Sequence, residues 1–266
     1  MVRSHFRRRL GREYYIFRRY LTWNLSKNRW AKKSTEGIGA YIVFEHKSLI
    51  LRPLKDVEMY LQINKRRNLE LAILELNDVE IKPGETFSFW KLVGRPNSKK
   101  GYLEGLVLNQ GKIDKAIGGG LCQLGNLLFW IFAHSPLKII ERHRHSYDVF
   151  PDTNRKVPFG AGATLSYNYV DLQVYNDSEY SFLLKLWIDD ENLNGQLLSD
   201  FAIQESYSIE ERNHMFVQQD WGAYSRHNQI FRLIKNNAGE TSETLLFENH
   251  ALVMYCPFLT VDSNED

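Results

Sequence analysis

In the stretch GGGLCQLGNLLFWIFAHSPLKIIERHRHS, residues 118 to 146, three glycines run directly into a cysteine, an apolar run follows, and two histidines one residue apart close the segment. If residues 121–134 form a helix, Cys122 sits in its first turn, where unpaired N–H groups and the helix dipole stabilise a thiolate. If KIIERHRHS is a strand, Glu141, His143 and His145 share one face, and Arg142 and Arg144 the other. A helix-start cysteine facing a histidine on the next strand has the logic of thiol hydrolases and acyl transferases. There an imidazole takes the thiol proton and later protonates the leaving group. Gln123 or nearby backbone N–H groups would polarise the oxyanion.

Each of these residues also has a plainer reading. A cysteine is often a small buried hydrophobe, and a histidine beside arginines is often a polar surface residue. On that reading the chain is a binding or adaptor protein and Cys122 merely packs. A third arrangement is a zinc site built from Cys122, His143 and His145 with one position open. No further Cys or His lies at ligand spacing, and no other cofactor is expected. Gly118, Gly119 and Gly120 allow a close backbone approach to a bound group, yet they lack the GxxxxGK[ST] pattern of a phosphate loop. Arg142 is a second candidate binding residue. Asp171, in YVDLQV, is an alternating-strand acid that either orients a histidine or faces water.

The elements that must position these groups read as an α+β fold, with mostly antiparallel strands around one buried helix at 121–134 and an amphipathic N-terminal helix. The seven apolar residues Leu127 to Ala133 require burial nearly all round, and Pro136 stops the helix. NKRRNLELAILELNDV, residues 64–79, reads as a helix burying Leu69, Ala72, Ile73 and Leu76. AYIVFEHKSLILRP reads as two short strands ended by Pro53, and IKPGETFSFW as a turn into a strand through Phe87 and Phe89. GLVLNQGKIDKAI reads as a hairpin turning near Asn109 to Lys112. Further strands after residue 163 turn at 176–178 and 192–195, and the last 66 residues form a strand-rich extension.

The chain has 266 residues and a formal net charge of +2 that hides an asymmetry. Residues 1–33 hold eleven Lys or Arg and one acid, against 23 basic and 31 acidic residues in the remainder. Within that head, Phe6, Leu10, Tyr14, Phe17 and Leu21 recur at helical spacing, with Arg8, Arg12 and Arg19 off the line. The pattern fits residues 3–30 lying on an anionic membrane surface, or a helix packed on the acidic body. No motif for nucleic acid accompanies the charge. The polar stretch KKSTEGIG, residues 32–39, marks a boundary, dividing the chain into 1–36, 37–200 and 201–266. Two cysteines without CxxC spacing favour a reducing compartment. No run reaches the roughly 18 to 20 apolar residues of a membrane span, and no signal-peptide core follows the basic start. The chain therefore reads as cytoplasmic, peripheral on the inner membrane face.

Three segments carry a resemblance to the VanW family: IKPGETFSFWKLVG (81–94), residues 118–146, and ATLSYNYVDLQVYND (163–177). The resemblance implies an accessory protein of the cell envelope, associated with glycopeptide resistance, with a peptidoglycan precursor or related peptide as substrate or ligand. Gly118, Gly119, Gly120, Cys122, Gln123, Glu141, Arg142, His143 and His145 match the family's distinctive block. One position departs: members often carry Asp before the Ala-Thr pair, where this chain has Gly162. If that acid has a catalytic role, Asp171 or Asp148 must substitute.

Overall fold

The computed structural model describes residues 5–35, 39–51, 58–109, 111–149, 151 and 157–257. Pro53 and part of the expected linker, residues 36–38, lie outside them. The chain opens with α1 (His5–Leu25), followed by the short strands β1 (Arg29–Trp30) and β2 (Lys32–Lys33) and the nine-residue β3 (Tyr41–Leu49). Next come α2 (Met59–Leu76), β4 (Val79–Ile81), β5 (Glu85–Ser88) and α3 (Phe89–Val93). The hairpin β6 (Glu104–Asn109) and β7 (Lys112–Ile117) leads into α4 (Cys122–Ala133). The remaining strands are β8 (Lys138–Glu141), β9 (Tyr147–Asp148), β10 (Gln173–Tyr175), β11 (Phe182–Ile188), β12 (Asn192–Ser199), β13 (Ser206–Gln218), β14 (Tyr224–Lys235) and β15 (Thr241–Val253).

The architecture is α+β. Three sheets have the orders β1-β5-β10-β8, β2-β4-β11-β12-β3 and β13-β14-β15-β9, and β6 pairs with β7 alone. Among the described residues only β1 with β5 and β15 with β9 run parallel. Helix α4 carries the centre of the core: Leu124, Leu127, Leu128, Phe129, Ile131, Phe132 and Ala133 are buried. Its burial is not complete around the axis, because Asn126 is exposed and Cys122, Gln123 and Trp130 are half-buried. Helix α2 joins the same core through the four expected residues Leu69, Ala72, Ile73 and Leu76.

Several elements differ from their sequence reading for physical reasons. The segment from Tyr41 is one continuous strand, since its whole length pairs with β12. The strand at Phe87 ends at Ser88, whose hydroxyl accepts from Lys91 N–H and caps α3, so Phe89 is helical. The turn expected at 192–195 lies earlier, because the Asp189 carboxylate accepts from Glu191 and Asn192 N–H groups and closes the chain there. Gly195 belongs inside β12, where a side chain would overlap Leu127 and Ile131 of α4. The strand expected through His145 stops at Glu141.

Helix α1 docks by a different face from the stripe that its sequence displays. Ile16 and Trp23 are buried, Arg19 forks onto Glu141, and the Tyr20 and Tyr167 hydroxyls meet at 2.7 Å. Among the described residues, no helix is long and apolar enough to cross a membrane.

Candidate functional site

The hairpin and the glycine turn fix where α4 begins. Asn68, fully buried in α2, donates to Leu103 O at 3.0 Å and Gly119 O at 2.9 Å, and accepts from Leu103 N–H at 2.8 Å. A methyl group on Gly119 would overlap the Gly105 carbonyl, so the two backbones touch where any side chain would separate them. The Gly118 and Gly119 N–H groups bond to Leu103 O and Ala116 O within the turn. The glycines therefore have a packing role, bringing Cys122 to the first position of α4.

The Cys122 sulfur accepts a hydrogen bond from Leu165 N–H at 3.4 Å, and the Leu165 carbonyl lies at 3.8 Å, within reach of the thiol proton. Burial pushes the thiol's pKa up, and the Leu165 contact pulls against it without prevailing. The direction is opposite to the one expected from the helix start, because desolvation of the charged form outweighs the backbone contacts of Leu165 and Cys122. The residue as a whole is half-buried.

His143 reaches the same segment through its backbone. Its carbonyl accepts from Thr164 N–H at 2.8 Å, and Thr164 immediately precedes the residue that holds the sulfur. The His143 side chain is 56% exposed, with Nε2 4.0 Å from Glu141 Oε1. Glu141 is itself held: Arg19 donates to both carboxylate oxygens at 2.5 Å, and Asp171 N–H donates to Oε1 at 3.1 Å. Among the described residues neither imidazole is hydrogen-bonded to the sulfur.

Because β8 ends at Glu141, the expected common face of His143 and His145 does not form. Arg142 donates to the Gly162 carbonyl at 2.8 Å and to the Gly160 carbonyl, and it lies over Phe129 and Phe247 at 5.0 and 3.9 Å. Arg144 donates to the His250 carbonyl of β15. His145 lines a cavity of about 260 Å³ with Arg144, Tyr147 and Leu108. Burial and the Arg144 charge lower its pKa. The ERHRH run thus fans out: Glu141 fastens α1, Arg142 the 160–162 loop, and Arg144 the C-terminal sheet.

The remaining candidates separate in the same way. Gln123 donates to Ser48 Oγ at 3.0 Å and Leu49 O at 2.7 Å, tying α4 to β3. Asp171 is fully buried and accepts from Ser88 Oγ at 2.6 Å, Gln173 Nε2 at 3.0 Å, and the N–H groups of Trp90 and Leu172 at 3.0 and 2.9 Å. Burial pushes its carboxyl up to about 6, with the Glu141 charge adding to the effect. Asp148 is buried against Arg226 at 3.2 Å and Tyr255 at 2.8 Å. The acid nearest His143 is therefore Glu141, and Asp171 and Asp148 serve as structural hubs. Among the described residues no three His, Cys, Asp or Glu side chains converge to hold a metal.

Sequence reasoning missed Asn126. It lies one turn beyond Cys122, is exposed, and accepts from Ala163 N–H through Oδ1 at 2.9 Å, while its Nδ2 has no partner among the described residues. A side chain at Gly162 would overlap this amide, so Asn126 fills the room of the acid that the resemblance leads one to expect there. The i, i+4 spacing from Cys122 is the signal that could have found it.

Comparison with known proteins agrees with the three segments that suggested a family. A family model described as VanW like protein matches residues 64–198. Vancomycin B-type resistance protein VanW of Enterococcus faecalis is 36% identical over 226 residues, covering 85% of this chain and 82% of that protein. Uncharacterized protein YoaR of Bacillus subtilis is 28% identical over 154 residues, covering 57% of this chain and 44% of its own length. No solved structure matches. With the family match spanning half of the chain and the Enterococcus relative most of it, the chain belongs to the VanW family.

Proposed function

We propose that this chain is a cell-envelope accessory enzyme of glycopeptide resistance, a cysteine-dependent acyl transferase or hydrolase acting on an amide or ester of a peptidoglycan-related peptide. The observation that carries this reading is that the Cys122 sulfur and the His143 backbone bond to adjacent residues, Leu165 and Thr164, of one short segment. Leu165 N–H holds the sulfur at 3.4 Å, Thr164 N–H holds the His143 backbone at 2.8 Å, and Glu141 stands 4.0 Å from the imidazole. A thiol kept protonated by burial needs a base, and His143, whose carbonyl bonds to the neighbouring Thr164, is the candidate.

In the first half-reaction His143 takes the thiol proton as sulfur attacks the carbonyl carbon. The carbonyl electrons move onto oxygen, where the exposed Asn126 amide is the available side-chain donor. Collapse of this intermediate expels the amine or alcohol, which takes the proton back from the imidazolium, leaving a thioester on Cys122. Water or an acceptor amine then attacks the thioester, giving hydrolysis or transfer. Glu141, fixed by Arg19, stands 4.0 Å from Nε2 and orients the imidazole in each half.

A second reading, a non-catalytic adaptor for precursor handling with Cys122 as a packed thiol, is favoured by the raised thiol pKa alone. Turnover of muropeptides, followed by mass spectrometry, separates the two. Under the enzyme reading Cys122→Ala abolishes conversion and His143→Ala lowers it by about 100-fold or more, with the far-UV spectrum unchanged. Equal conversion by wild type and Cys122→Ala would establish that the thiol has no part in the chemistry.

A further inference from the structure

Helix α1 is apolar on two opposite sides, and docking uses only one of them. At 100° per residue, Ile16, Arg19 and Trp23 fall on the side facing the body, where Ile16 and Trp23 are buried and Arg19 grips Glu141. Leu10, Tyr14, Phe17 and Leu21 fall on the other side and are 54, 60, 61 and 42% exposed. Leu25 extends the row and is also exposed. The stripe is about 22 Å long at 1.5 Å per residue. Nothing else among the described residues covers it, and it is continuous, unlike the single exposed hydrophobics scattered over an ordinary surface.

The flanks of the stripe identify its occupant. Arg7 and Arg18 are exposed and border it, Lys27 adds exposed positive charge just beyond α1, and the exposed Arg12 and Arg29 pair with Glu13 at 3.7 Å and Glu85 at 4.0 Å. Glu13, the one acid of α1, is already engaged by Arg12 at 3.7 Å and Arg95 at 3.6 Å. A protein partner would need an apolar surface ringed by acids in matching register. An anionic bilayer supplies both features everywhere: acyl chains for leucine, headgroup-level sites for the aromatic rings, and phosphates for the arginines.

We infer that α1 is an interfacial helix that seats this protein on an anionic lipid surface, with its Ile16–Arg19–Trp23 side locked to the body. The helix lies on the membrane and does not cross it, in keeping with the arginines on both of its long sides. The docked side leads through Arg19 to Glu141 and His143, so the seated molecule holds its candidate site rigidly to the membrane-bound element. The inference stands on the exposed stripe and its charges, independently of any chemistry at Cys122.

Sedimentation of the full chain with phosphatidylcholine vesicles, with and without a minority of phosphatidylglycerol, tests the inference. The comparison is with Tyr14→Ser/Phe17→Ser/Leu21→Ser, whose replaced side chains are exposed and whose melting curve serves as the fold control. We expect partitioning onto phosphatidylglycerol vesicles that falls by about 10-fold or more in the triple variant, and by a similar factor on pure phosphatidylcholine. Unchanged partitioning of the triple variant would overturn the inference, as would equal binding of wild type to the two vesicle types. Analytical ultracentrifugation without lipid covers the remaining occupant. A wild-type dimer that the triple substitution turns into a monomer would assign the stripe to a second copy of this chain and overturn the membrane role.

Discussion

Removing the Arg19 charge while keeping the length of its side chain, as in Arg19→Met, breaks the link between α1 and the candidate site. The pair is a two-bond fork at 2.5 Å, with side chains 14 and 19% exposed. Burial works against the Arg19 charge, but the Glu141 carboxylate more than offsets it, and the guanidinium holds its proton more tightly than usual. Exposed pairs contribute at most about 1 kcal/mol, and loss of one partner from a fully buried pair costs about 3 to 5 kcal/mol. This pair lies between those limits, at about 2 kcal/mol. Because α1 meets the body through one side only, the loss acts on its docking before it acts on the whole fold. Hydrogen exchange measured by peptide mass spectrometry should show protection over residues 10–25 falling by about 30-fold, the equivalent of 2 kcal/mol, while α4 and β11 keep theirs. The double variant Arg19→Met/Glu141→Gln should show a coupling of about 2 kcal/mol in urea unfolding. Unchanged α1 protection in Arg19→Met would refute the claim that this fork fastens the helix. Equal loss throughout α4 and β11 would show that the pair supports the whole fold instead.

Three other perturbations test separate parts of the account. Gly119→Ala forces a methyl into the Gly105 backbone and should lower stability by about 3 kcal/mol or more, read as a large drop in melting temperature. Thr164→Val replaces a buried hydroxyl that has no hydrogen-bond partner among the described residues with a methyl of similar size, and should stabilise by about 1 kcal/mol in urea titrations. The pH dependence of stability carries two opposed contributions. Asp171, raised by burial to about 6, contributes stability that is complete below its unfolded pKa and is lost as pH rises through about 6. His134, lowered by burial to about 4, contributes stability present at neutral pH and lost as pH falls from its unfolded value toward about 4. Between about pH 7 and about pH 5, Asp171→Asn should therefore lose on the order of 1 kcal/mol more stability than wild type. Identical pH slopes would mean that Asp171 is ionised across this range.

The elements that pack by a continuous apolar run were legible in the sequence. The limits of α4 follow from Leu127 to Ala133 and Pro136, the buried face of α2 from its spacing, and the hairpin turn from the pairing of Asn109 with Lys112. What was not legible depends on partners far along the chain. The end of β8 is set by Arg142 turning to the Gly160 and Gly162 carbonyls, a contact that no local pattern announces, and its loss of register separates His143 from His145. The tie from Arg19 to Glu141 spans 122 residues. The docked face of α1 was ambiguous because Ile16 and Trp23 compete with the more regular Leu10, Tyr14, Phe17 and Leu21 line, and the polar anchors Arg19 and Tyr20 decide between them. Of the candidate site, the cysteine at a helix start was readable, and its raised pKa was not, because desolvation depends on what the tertiary fold places over the sulfur.

The claim that Cys122 is a nucleophile served by His143 is tested most directly by trapping the thioester. Intact-protein and peptide mass spectrometry after brief mixing with a muropeptide and acid quench would read it. The account expects an added acyl mass on Cys122, absent from Cys256, lost in Cys122→Ala and reduced by about 100-fold or more in His143→Ala. A Cys122 that gains no mass with any muropeptide, or an adduct that forms as fast in His143→Ala as in wild type, would contradict it.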